Sequence, residues 1–206
     1  MFNDWLIYKL TGILAVEPSN GSTTGLMDLK TRTWDPSILE RCGLKSSIFP
    51  PVQESGTIAG TVTADAALQT GLTEGTLVVV GGGDAQLGCI GVGAVDANDA
   101  AIFGGSFWQY EYNTDRADTD PQCRVRVNCH AVPGVWQYEA LAFKPGLVMR
   151  WFRDGFCQLE KQIAENSGCD VYDLMNREAE KIPAGCYGMM CTFSDVMNFI
   201  NWKHAA

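Results

Sequence analysis

The residues of this sequence whose types and spacing could do chemistry lie in two glycine-rich turns, with Asp84 and Gly104 twenty positions apart. The first turn, VVVGGGDAQLGCIG, runs from an apolar stretch through Gly81, Gly82 and Gly83 into Asp84. A carboxylate where a buried strand gives way to a helix sits on the edge where α/β proteins place their ligands. There it can take a proton from a hydroxyl. The spacing is not that of a dinucleotide fingerprint: G-x-G-x-x-G from Gly81 needs glycine at position 86, where Gln86 stands. Local sequence fits equally well with Asp84 as a plain N-cap of the helix that follows. Three consecutive glycines tilt the balance toward a ligand, because a cap alone needs no bare backbone.

The second turn is AIFGGSFWQ. Gly104, Gly105 and Ser106 between two strands make an ordinary hairpin turn. They also make a phosphate cradle, in which backbone N–H groups and one hydroxyl face an anion. Together the two turns suggest a cleft with a base on one wall and phosphate contacts on the other. Arg150 and Arg153 in MRWFRDGFC could reach a phosphate, although Arg153 and Asp154 equally suit a surface ion pair, and Trp151 and Phe152 read as core. His130 has no partner for nucleophilic catalysis and reads as structural. Eight cysteines include no C-x-x-C pair, and a zinc set of Cys123, Cys129 and His130 has the wrong spacing, so reduced thiols are expected. No metal ligand is assigned.

The elements that must position these turns alternate as in an α/β protein. The opening residues read as a helix, with Asn3 or Asp4 as candidate cap, an apolar face of Trp5, Leu6, Ile7 and Leu10, and Gly12 beyond its end. WDPSILERCG gives a second, with Asp35 as N-cap, Pro36 at the first position and Gly43 beyond the end. TIAGTVT is a strand and 64–70 a short helix closed by Gly71. TLVVV reads as a buried central strand leading into the Asp84 helix. Two strands flank the second turn, two more follow in VRVNCHAV and VWQYEALAF, and the helix LVMRWFRDGFC precedes a polar helical stretch over 158–182 and a last strand, YGMMCTF. A boundary between two domains is expected near Asp96.

The chain has 206 residues, Lys+Arg 15 against Asp+Glu 24, a net charge of −9 and a pI near 4.6. Such a surface repels phosphate backbones and anionic lipid, so nucleic acid and membrane are not expected partners. The longest uncharged stretch, 182–194, has thirteen residues, short of a membrane span. Cytoplasmic localisation follows as the expectation, and both ends read as cut from a longer chain.

The order and spacing of DWLIYKLTG, PSNGSTTGLMDLKTRTW, VVVGGGDAQLGCIG, FGGSFWQ and MRWFRDGFC resemble the FGGY carbohydrate kinases. The resemblance implies a ribonuclease H-like, actin-type ATPase fold. It places 1–95 at the end of the N-terminal domain and 96–206 at the beginning of the C-terminal domain, so that the chain is a fragment spanning their junction. It implies ATP and Mg²⁺ as cofactors, a small sugar-like acceptor, and a homodimer as one arrangement of the full-length enzyme. Asp84 falls on the family's catalytic base, where it would also contact the substrate, and Gln86, one turn on, is placed toward the sugar by spacing. Gly104, Gly105 and Ser106 fall on the turn that contacts nucleotide phosphates, and Gly146 and Arg150 on the nucleotide side. Gly105 stands where many relatives carry threonine, which removes one hydroxyl contact. The family's opening D-x-G-T loop and its adenine-side G-G-G-x-S segment are not in these 206 residues, which implies that they have no turnover alone. Two alternatives remain: a kinase for another ketose or polyol of the xylulose or glycerol type, and a non-catalytic module that kept the fold.

Overall fold

The computed structural model describes residues 1–142 and 144–190. They form two compact units, one of Met1–Ile102 with Tyr110–Ala140, the other of Phe103–Gln109 with the chain from Leu141 onward.

The first unit begins with helix α1 (Phe2–Thr11), closed by Gly12 in the left-handed region at φ 74°. Its N-cap is Met1, two or three residues earlier than the expected Asn3 or Asp4, and no side chain caps it. A five-residue helix α2 (Pro18–Ser22) follows, then the paired strands β1 (Met27–Asp28) and β2 (Thr33–Trp34) and helix α3 (Pro36–Arg41). The α3 start is as read from sequence: Asp35 accepts from the amides of Ser37 and Ile38 at 2.8 and 3.2 Å. Strand β3 (Ile58–Thr61) pairs antiparallel with β4 (Leu77–Val79), and helix α4 (Ala64–Thr70) lies between them in sequence. Helix α1 packs against this pair, burying Ile7 with Ala59 and Val80. Gly60 is required here, since a Cβ would meet Ile13 Cδ1 at 2.9 Å and Thr11 Cβ at 3.2 Å.

The expected central strand is a correction. Leu77 and Val79 are 60% and 51% exposed, and among the described residues β4 pairs with β3 alone. An apolar run specifies burial, but nothing in these described residues covers that face.

Helix α5 (Asp84–Gly91) follows β4, and then a four-stranded sheet in the order β5-β6-β8-β7. Its strands are β5 (Ala100–Gly104), β6 (Trp108–Thr114), β7 (Arg126–Cys129) and β8 (Trp136–Ala142), with β7 and β8 antiparallel. Alternation along β6 and β8 puts Glu111 and Asn113, and Gln137 and Glu139, on buried positions. The buried positions of this sheet are therefore polar.

In the second unit, helices α6 (Pro145–Phe156), α7 (Gln158–Ser167) and α8 (Val171–Ala179) follow one another. The polar stretch expected as one helix is two, broken at Gly168 (φ 71°), with Asp170 capping α8 through the Tyr172 amide at 2.8 Å. Trp151 and Phe152 are 62% and 45% exposed rather than core. They lie with Phe156 at 5.2 and 5.4 Å between ring centroids, an apolar stripe that no described residue covers. Over the expected last strand, Tyr187 has φ 55° within a 3-10 turn (Cys186–Gly188) that excludes a strand there; residues 191–193 of that segment lie outside the described residues.

Candidate active site

Asp84 is the first residue of α5 and is exposed. The helix N-cap is Gly83, with no side-chain cap, so Asp84 is not the capping residue. Its Oδ1 accepts the amide of its own neighbour Ala85 at 2.8 Å. The carboxylate stands at the positive end of a helix, where negative charge is favoured. The glycines before it are explained mostly by the protein itself. A Cβ on Gly82 would press Leu87 and Ala131 at 3.2–3.3 Å, and one on Gly83 would collide with Gln86 Oε1. Only at Gly81 is the space beside the backbone open.

Gln86 is buried, and its Nε2 donates to Gln137 Oε1 at 2.7 Å. Gln137 donates in turn to Asn113 Oδ1 at 3.2 Å and Cys89 Sγ at 3.1 Å, and Asn113 reaches the Ala94 carbonyl at 3.0 Å. This chain of buried amides ties α5 to β6 and β8. A hydrogen-bonded network is the way a core tolerates polar groups.

Two further carboxyls belong to the same region. Glu111 is fully buried with no partner on either oxygen, and burial first, then the negative charges of Glu139 and Asp84, push its pKa up to about 8. Glu139 is raised as well, by burial above all, while Arg126 beside it acts in the opposite direction. His130 is fully buried, accepts the Val132 amide on Nδ1 at 2.9 Å, and is held below its usual pKa by burial and by Arg32. That is a structural histidine. Among the described residues no group of three or more His, Cys, Asp or Glu could hold a metal ion.

The second unit carries its own cavity, of about 500 Å³. Gly104, Gly105, Ser106, Gly146 and Arg150 all line it, together with Trp108, Met149, Tyr172 and Asn176. The Gly105 amide donates to Phe107 O at 2.8 Å and sets the turn. Gly146, in the first turn of α6, lies directly against that turn: a Cβ there would collide with Gly105 O and come within 3.2 Å of Ser106 Cα. Bare backbone on both sides lets a helix start and a hairpin tip touch. Arg153 points elsewhere, pairing with Asp154 at 2.8 Å and lying 5.2 Å from the Tyr172 ring centroid.

Residues 1–91 match the family model of the FGGY family of carbohydrate kinases, N-terminal domain. Sequence and fold likenesses to carbohydrate kinases extend beyond residue 91 over the rest of the chain. It is 52% identical over all 206 residues to an autoinducer-2 kinase from Enterobacter sp. (strain 638), and spans 39% of that relative's length. Among solved structures it is similar to a ligand-bound xylulose kinase from Lactobacillus acidophilus, at 22% identity and a TM-score of 0.74 over 91% of this chain and 36% of that one. A xylulose kinase from Rhodospirillum rubrum matches at 26% identity and a TM-score of 0.71, over 91% of this chain and 37% of that one. The α/β fold expected from sequence, that of the actin-like carbohydrate kinases, is thus found.

Sequence reasoning missed Glu17, Ser19, Gln137 and Glu111. The first two carried a signal: Glu-Pro-Ser has a capping acid before proline, the mark of a helix start. The others stand at alternate positions of their strands, a pattern that solvent-facing polar residues share.

Proposed function

We propose that these residues form part of an ATP-dependent kinase acting on a hydroxyl of a small sugar-like molecule, with autoinducer-2, as open-chain dihydroxypentanedione, the acceptor. The observation that carries the reading is the second unit's cavity, where five residues selected from sequence for nucleotide contact meet around one turn. The substrate rests on the 52% identity to autoinducer-2 kinases. Ser106 presents its hydroxyl and Gly146 its first-turn amide to the phosphates, Gly104 and Gly105 (whose amide is used on Phe107 O) shape the turn beside them, and Arg150 supplies positive charge. Asp84 orients the acceptor hydroxyl and takes its proton as oxygen bonds to the γ-phosphorus and the bond to the ADP oxygen breaks. Phosphoryl transfer asks mainly for positioning and charge neutralisation, so one base and a backbone cradle are appropriate equipment.

Mg²⁺ would come with the nucleotide and would supply charge neutralisation for phosphoryl transfer; the donor set of the described residues does not fit a protein-held ion. No helix of the described residues is long and apolar enough to cross a membrane. A cytoplasmic location and small-molecule partners belong to this proposal. Homodimerisation of a longer enzyme belongs to the same proposal.

A full-length protein carrying these 206 residues, assayed with dihydroxypentanedione, xylulose and glycerol, tests the assignment. ATP-dependent phosphorylation of the first, at the highest kcat/KM of the three, is expected. Turnover of xylulose or glycerol with none of dihydroxypentanedione would overturn the substrate and leave the kinase.

A further inference from the structure

We propose that Glu17 and Ser19 are positioning residues for Asp84, acting through the backbone amide of Gly83. The inference rests on the reading of Asp84 as the base.

Among the described contacts the Asp84 carboxylate is held by no other side chain; its hydrogen bond is to the adjacent amide. Its aim is therefore set by the backbone that enters α5, and above all by Gly83. That residue is gripped on two sides. Its N–H donates to Ser19 Oγ at 2.8 Å in a buried contact, and Gln86 Oε1 fills the space where a side chain would stand.

Ser19 can serve as an acceptor there because its only hydroxyl proton is used elsewhere, donated to Glu17 Oε2 at 2.7 Å. Glu17 is a fully buried carboxylate that also accepts the Ser19 amide at 2.6 Å, the Asn20 amide at 2.7 Å and Ser55 Oγ at 3.3 Å. Arg32, close enough to feel its charge, spends its guanidinium on Glu54 at 2.7 Å and on the His130 carbonyl at 2.9 Å. The direction of the relay is thus fixed from end to end: Gly83 N–H to Ser19 oxygen, Ser19 proton to Glu17.

Capping α2 explains the two amide contacts of Glu17. It does not explain why the hydroxyl of Ser19 reaches a residue 64 positions away. Ser22 supplies an internal control. It is a second buried serine of α2, and it too bonds across to another element, accepting the Cys129 amide at 3.0 Å; its own hydroxyl donates to the Ser19 carbonyl at 3.0 Å, and it makes no hydrogen bond to Gly83.

The test uses the full-length protein carrying these residues. Ser19→Ala is expected to lower kcat roughly 10–100-fold with the KM for ATP within about twofold, because misaiming a reacting group by an ångström costs on that scale. Ser19→Ala and Ser22→Ala are both expected to lower Tm by about a few degrees, and Ser22→Ala to leave kcat within about twofold. Glu17→Gln keeps the shape and an acceptor for the cap but weakens the hold on the serine proton, so a smaller kcat loss is expected. It carries the test if Ser19→Ala does not fold. In an Asp84→Asn background, Ser19→Ala or Glu17→Gln is expected to cost nothing further, as residues acting through one group do. Equal kcat losses from Ser19→Ala and Ser22→Ala, or an undiminished Ser19 effect without Asp84, would overturn the relay while leaving Asp84 as base. Asp84→Asn with near-native kcat would overturn both.

Discussion

The Asp84 region and the Gly104–Gly146 region solve opposite problems. Around Asp84, every neighbour that matters is a buried polar side chain: Glu17 and Ser19 behind the turn, Gln86, Gln137 and Asn113 behind the helix, Glu111 and Glu139 on the strands. Around Gly146, the architecture depends on side chains being absent, so that a helix start and a hairpin tip meet as backbone. The contrast teaches where precision comes from. A proton acceptor has to be aimed, and aim is built from hydrogen bonds with fixed direction. A phosphate has three equivalent faces, and amides around an open turn suffice.

If that division holds, the largest effect falls on chemistry. Asp84→Asn keeps size and helix position but removes the carboxylate proposed as proton acceptor, and kcat is expected to fall by roughly 10²–10⁴ in the full-length protein. Steady-state kinetics against autoinducer-2 check it, and a loss of only a few-fold would remove Asp84 from the role.

A smaller effect, on binding, belongs to the other region. Gly146→Ala forces its methyl into the carbonyl of Gly105, so the turn or the helix start has to move. The KM for ATP is expected to rise about tenfold, with kcat affected less, the pattern of a lost ground-state contact. Unchanged nucleotide kinetics would mean that the contact between α6 and the turn is packing without function.

The smallest effect is on stability and depends on pH. Glu111 has its pKa raised from 4.5 to about 8, so the folded state keeps a proton that the unfolded chain releases across that interval. The resulting stabilisation is full below pH 4.5 and is lost as pH rises toward 8. Glu111→Gln has no such proton to lose. Relative to the native sequence it is expected to gain about 1–3 kcal/mol, a few degrees in Tm, between pH 4.5 and 8.5. Thermal melts of the 206-residue chain at the two pH values measure the gap; a constant difference would show that Glu111 ionises normally.

Legibility in the sequence followed the range of the interactions. Asp35, Pro36, Gly12 and Gly71 mark helix ends through contacts within a few residues, and those ends lie where the sequence placed them. The turn residues were legible for the same reason. Burial was not. Leu77, Val79, Trp151 and Phe152 have core composition, but the surfaces that would cover them are not among the described residues. The buried polar residues near Asp84 were hidden for a related reason: Glu111 and Gln137 alternate along strands as surface residues do, and only the packed structure shows that face turned inward. The three glycines before Asp84 misled in part, since two of them make room for Leu87, Ala131 and Gln86 rather than for a ligand.

The division of labour is tested most directly by measuring the Kd of a non-hydrolysable ATP analogue calorimetrically for Asp84→Asn and Gly146→Ala side by side, in the full-length protein. Asp84→Asn is expected to bind the analogue as the native protein does, and Gly146→Ala about tenfold more weakly. Equal weakening in both variants, or weakening in Asp84→Asn alone, would contradict it.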